Sequence, residues 1–114
     1  EFLTYHFSFK PSLRPVGDII AYIGLERAQH KFIHQFSSGM KQRVKLAQAV
    51  FANTPALLLD EPCTNLDAAG IALYQDMMRE FTRDRLLVVA SNDPTEYSVC
   101  ERQLSMELTK PRAV

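Results

Sequence analysis

The sequence predicts an α/β fold in which a helical segment is followed by a small, mainly parallel sheet with flanking helices. Three observations carry this. Leu57 to Leu59 and Leu86 to Ala90 are continuous apolar runs of strand length, the pattern of strands covered on both faces. Between them, Asp67 to Arg83 repeats apolar residues at helical spacing. Strand, helix, strand in that order implies a crossover connection and parallel pairing.

Each element has its own local signal. Phe2, Tyr5, Phe7 and Phe9 crowd one short stretch, which Pro11 and Pro15 break. Val16 to Leu25 carries Val16, Ile19, Ile20 and Ile23 on one helical stripe. Glu26 to Phe36 reads as a polar connector. Ser37 or Ser38 is placed to cap the next helix, with Met40, Val44, Ala47 and Phe51 inward and Lys41, Arg43 and Lys45 adding charge near its start. Asn53 and Pro55 stop that helix. Asp67 caps the following one, whose inward residues are Ile71, Tyr74, Met77, Met78 and Phe81. Pro94 starts a short helix reaching about Cys100. In the tail, Leu104, Met106 and Leu108 alternate with Gln103, Ser105 and Glu107, which predicts a third, half-exposed strand. Strands that demand cover on both faces, with so few helices to provide it, predict a piece of a larger α/β domain. Residues 1–52 are expected to form its helical portion and residues 53–114 its core.

Bulk composition narrows the function classes. A chain of 114 residues fits one small domain or part of a larger one. Lysine and arginine total 13, as do aspartate and glutamate, and the basic residues are scattered, so no nucleic-acid surface built on bulk charge is expected. There is no run of 18 apolar residues and no signal-peptide pattern, so nothing in this sequence is expected to span a membrane. Cys63 and Cys100 lack metal-ligand spacing and read as two reduced thiols of a cytosolic protein. The start at Glu1 in place of Met points to processing or truncation.

The candidate chemistry lies in "LLLDEPCTNLD". Asp60 and Glu61 end a buried strand, where parallel sheets bind ligands. An acid there can hold Mg²⁺, and a glutamate beside it can direct water; the same residues also make an ordinary acidic turn stopped by Pro62. Ser37, Ser38 and Gly39 at a helix start offer amides and hydroxyls to an anion, or simply cap the helix. Thr64 to Asp67 reads by itself as another cap, and Ala90 to Pro94 as a polar turn.

Taken in order, "FSSGMKQR", a helix, "LLLDEP", "TNLD" and a strand ending in "ASND" resemble the nucleotide-binding subunit of ATP-binding-cassette (ABC) transporters over essentially the whole chain. The resemblance implies a partial P-loop NTPase-like fold. It implies that Phe36, Ser37, Ser38, Gly39 and Met40 form the signature turn, with Ser37 and Gly39 meeting the γ-phosphate of ATP held by the opposite subunit. Ser38 and Met40 replace the usual glycine and glutamine, variants met among exporter-type ATPases. Asp60 matches the Walker B aspartate that holds Mg²⁺, and Glu61 the catalytic glutamate that polarises the attacking water. Asn65, Leu66 and Asp67 match the D-loop, which crosses the dimer interface. Asn92 stands at the switch histidine, where its amide can position a phosphate but carries no charge.

The phosphate loop, G-x-x-x-x-G-K-[S/T], has no match, because Gly17, Gly24, Gly39 and Gly70 have neither the spacing nor the following lysine. No Q-loop glutamine is recognisable either. The chain is therefore expected to be a C-terminal fragment of such a subunit, inactive alone. The resemblance implies ATP and Mg²⁺ as ligands of the complete protein, a membrane-spanning subunit and a second nucleotide-binding subunit in a head-to-tail dimer as partners, no nucleic acid, and a place on the cytoplasmic face of a membrane. The rival readings are a soluble ABC ATPase of DNA repair or translation, and a non-catalytic interaction module that keeps remnants of the fold.

Overall fold

The computed structural model describes residues 2–7, 12–28 and 35–105. In chain order these form α1 (Phe2–Phe7), α2 (Val16–Tyr22), a 3₁₀ turn (Glu26–Ala28), α3 (Ser38–Val50), β1 (Ala56–Asp60), α4 (Ala68–Phe81), β2 (Leu86–Ala90) and α5 (Pro94–Tyr97). Local chemistry explains the boundaries. α2 stops at Tyr22, short of the apolar stripe, because Gly24 takes φ +75°, a conformation open to glycine. Leu25 N–H then bonds the Ile20 carbonyl at 3.1 Å and Gly24 N–H the Ala21 carbonyl at 3.1 Å, the paired closure of a Schellman turn. Ser37 caps α3, its hydroxyl oxygen accepting from Met40 N–H at 3.2 Å, and Asp67 caps α4 by accepting from Gly70 N–H at 2.8 Å.

β1 and β2 pair in parallel, Ala56 opposite Leu86 through Asp60 opposite Ala90, with α4 as the crossover. The α/β class is therefore as expected. One sheet face, carrying Leu57 and Leu59 with the half-buried Leu87 and Val89, packs on a core built from Ile19, Ile23, Val44, Ala47, Val50, Phe51, Tyr74 and Met77.

Two expectations need correction. The strands are not covered on both faces, since Leu58 is 72% exposed, Leu86 65% and Val88 47%. All the packed helical surface lies on one side, and no described element reaches the other. The third strand is also missing from the described residues. Gln103 to Ser105 are irregular with Leu104 73% exposed, and the remainder of that segment lies outside the described residues. An alternating strand needs an apolar face against which to turn, and Leu104 finds none. The Phe9 position and most of the connector before Gln35 also lie outside the described residues.

Candidate nucleotide site at the carboxyl end of the sheet

The carboxyl end of β1 delivers Asp60 and Glu61 to an exposed edge. Glu61 N–H continues the ladder by donating to the Ala90 carbonyl at 2.9 Å. The chain then turns sharply, with Glu61 at φ +44°. That is a left-handed conformation uncommon for a glutamate, of the kind that gathers at functional turns. Pro62 is buried beneath it. The turn is closed by Thr64, whose N–H and hydroxyl both donate to the Glu61 carbonyl, at 3.2 and 2.9 Å. Asn65 is left-handed as well, at φ +66°, a conformation that asparagine adopts more readily than most residues.

The turn at Phe36 to Met40 comes against this loop although more than 20 residues of sequence separate them. At Gly39 a side-chain carbon would lie 3.1 Å from the Asn65 carbonyl oxygen, so only a glycine lets the two backbones approach this closely without displacement. Gln42, one turn further along α3, donates to the Pro62 carbonyl at 2.8 Å. Arg43 donates to the Ile23 carbonyl at 3.0 Å and reaches Asp67 Oδ1 at 3.5 Å. The Gly70 amide first, and the Arg43 charge after it, hold the Asp67 carboxyl below the usual aspartate range.

The loop after β2 joins the same assembly through Glu96. This residue is 4% exposed, accepts from Cys63 N–H at 2.6 Å and accepts from the Ser91 hydroxyl. Asn92 is exposed on that loop beside Ser91. Burial, and then the Glu96 and Asp93 carboxylates, push the Cys63 thiol up to about 12, so it stays protonated near neutrality. Cys63 and Cys100 are both free thiols, in line with the reduced pair expected.

The structure thus brings the Phe36 to Met40 turn, the acid pair, the 65–67 loop and Asn92 to one end of the molecule. Ser37, Ser38, Asp60, Glu61, Asn65, Asp67 and Asn92 are exposed, whereas Phe36, Met40 and Leu66 turn their side chains towards the core and anchor the segments that carry the others. Sequence reading missed Gln42, Arg43 and Glu96. Gln42 and Arg43 lie on the α3 face that follows from the Ser37 cap, so helical spacing placed them beside Gly39. No sequence signal marks Glu96, a lone acid in a four-residue helix.

Comparison with known proteins shows the family. Residues 11–64 match the ABC transporter family, a span from before α2 to the turn after β1. An uncharacterized ABC transporter ATP-binding protein of Bacillus subtilis, YxlF, is 36% identical over 97 residues, which is 81% of this chain and 33% of that protein. The chain belongs to the ABC ATP-binding family. Another relative, the nitrate import ATP-binding protein NrtC of Synechocystis, is 35% identical over 100 residues, 86% of this chain and 15% of its own length. The nickel import ATP-binding protein NikD of Pseudomonas putida is 39% identical over 66 residues, 58% of this chain and 26% of its own. The chain thus spans a third or less of each of these three ABC proteins.

Proposed function

We propose that this chain is part of the ATP-binding subunit of an ABC transporter and carries its water-activating acids together with the turn that reads the partner subunit's nucleotide. The observation that carries the reading is the tying of the Glu61–Asp67 turn on two sides. Gly39 and Gln42 at the start of α3 hold it from one side, and Glu96 of α5 from the other.

The donor set suits Mg²⁺. Among the described residues no cluster of three or more His, Cys, Asp or Glu forms a complete metal cage. Magnesium in phosphoryl-transfer sites takes one or two carboxylates and fills its remaining positions with phosphate oxygens and water. Asp60 is the residue to hold it, and bound there it would neutralise charge on the phosphates. Glu61 is the general base, its exposed carboxylate placed to orient a water at the sheet's edge. Asn92 offers an amide N–H to the γ-phosphate. On the other side of a head-to-tail dimer, the Ser37 hydroxyl and the amides at the start of α3 face the nucleotide held by the second subunit, with Asn65 to Asp67 crossing between the two.

The partners on this reading are a second ATP-binding subunit and a membrane-spanning subunit. Among the described residues no helix is long and apolar enough to cross a membrane, so contact with the bilayer would run through that partner. The helical portion, residues 1–52, is the part proposed to meet it, and residues 53–114 are proposed as the piece of ATPase core.

The test uses a subunit that joins this chain to a phosphate loop. Glu61→Gln there is expected to lower kcat about 100-fold or more with MgATP affinity changed less than about threefold. Asn92→Ala should slow turnover less. The 114 residues alone should neither hydrolyse nor tightly bind MgATP, lacking a cradle for the β- and γ-phosphates. Undiminished hydrolysis by the Gln variant would overturn the assignment of the base, and tight MgATP binding to the chain alone would overturn the division of labour.

A further inference from the structure

Glu96 is the one charged side chain in the buried set of the described residues. A carboxylate is costly to bury, and an apolar residue would fill the same space without that cost, so its bonds must account for its presence. They are divided between two loops. One oxygen takes Cys63 N–H at 2.6 Å, two residues beyond Glu61, and the other takes the hydroxyl of Ser91, the neighbour of Asn92. The Ser91 oxygen in turn accepts from Asp93 N–H at 2.9 Å, which fixes the shape of the loop that presents Asn92. The backbone of Glu96 is held as well, its carbonyl accepting from the hydroxyl of the fully buried Tyr74 at 2.6 Å, so α4 supports the arrangement from below. Asp93 caps α5 through Thr95 N–H at 2.9 Å and so sets the helix that aims Glu96 inward.

We propose that Glu96 is a positioning residue that locks the Glu61 turn and the Asn92 loop into one register, so that base and switch act at the same phosphate. The only other described bond between these loops is the backbone pair of Glu61 N–H and the Ala90 carbonyl. That pair joins the strand ends and does not reach the turns beyond them, so Glu96 is the side-chain link that relates one turn to the other. The catalytic part of this inference rests on the functional reading above; the mechanical part does not.

The test compares Glu96→Gln with Glu96→Leu. Glutamine keeps an acceptor for Cys63 N–H and can donate its amide to the second lone pair of Ser91 Oγ, whereas leucine fills the space and makes neither bond. Amide hydrogen exchange on the 114-residue chain should show Cys63 and Asp93 exchanging about tenfold faster or more in the Leu variant, measured against amides within α3, and less than about threefold faster in the Gln variant. Should leucine unfold the chain, Glu96→Asp, one methylene too short to reach both loops, gives the same readout. Equal protection in all variants overturns the proposal.

In a subunit completed by a phosphate loop, the Leu variant should lose about tenfold in kcat with KM for MgATP changed less than about threefold, and the Gln variant should keep most of its turnover. Equal kcat losses in both variants, or a loss confined to KM, would also overturn the positioning role. An inactive wild-type subunit would sink the functional reading instead and leave the exchange result to decide the mechanical link.

Discussion

Asp67 caps α4 and anchors the turn after β1 with the same oxygen, Oδ1, which meets Gly70 N–H at 2.8 Å and the Arg43 guanidinium at 3.5 Å. Both contacts favour the charged form, the Gly70 amide most, and the folded carboxyl sits below its ordinary value. A depressed folded value means that the unfolded chain binds the proton first as pH falls. The stabilisation is then complete above the unfolded value of about 4 and disappears as pH drops through the lower folded one. Thermal melting of the chain between neutral pH and about pH 3 should show a decline in Tm that Asp67→Asn makes shallower. Identical slopes for wild type and variant would show that the cap is made equally well by a neutral side chain. The cap was legible in the sequence because it depends on a residue three positions away. The Arg43 contact was not, because it joins elements 24 residues apart.

At the scale of elements, Arg85 ties the amino-terminal ends of both strands to the ends of two helices. Its guanidinium donates to the carbonyls of Val50 at 2.6 Å, Ala52 at 3.0 Å, Thr54 at 2.9 Å and Phe81 at 3.3 Å, and to the Thr54 hydroxyl at 2.9 Å. The Val50 and Phe81 carbonyls terminate α3 and α4, where helices leave carbonyls unpaired and favour a cation. Burial lowers the Arg85 pKa, yet an arginine remains charged at any pH the fold survives. Arg85→Ala leaves several partly buried carbonyls without donors and should cost about 2–4 kcal/mol in denaturant unfolding. Lysine, with three donors at one point, cannot span the fork, so Arg85→Lys should recover less than about half of the loss. Full recovery by lysine would mean that charge alone suffices. The starts of α3 and α4, their caps and the strand positions could be read from Ser37, Asp67 and the apolar runs because those signals are local, whereas α2 and α5 end at Tyr22 and Tyr97, short of the Leu25 and Cys100 expected. The roles of Arg85 and Glu96 come from chain crossings that no spacing rule encodes.

For the molecule as a whole, the decisive feature is the uncovered face of the sheet. Leu57 to Leu59 and Leu86 to Ala90 read as strands buried on both sides, and their composition does suit double cover. The described residues cover only the face carrying Leu57 and Leu59, while Leu58, Leu86 and Val88 stand together on the other. Composition records what a strand is suited to pack against; it does not say whether the covering element belongs to the same 114 residues. Among the described residues the sheet is a two-stranded parallel pair with one apolar face exposed to water, an arrangement that is poorly stabilised by itself and invites pairing with another copy. Sedimentation of the isolated chain at roughly micromolar concentrations should therefore reveal concentration-dependent association, accompanied by binding of an apolar-surface dye. Leu58→Lys combined with Val88→Thr should shift the distribution towards monomer and reduce dye binding. The fold should survive, since neither side chain contributes to the buried core. Charges placed on that face also act against edge pairing, because a second copy would have to desolvate them to dock. If wild type and the double variant sediment alike as monomers, the open face is not what governs the behaviour of this chain in solution.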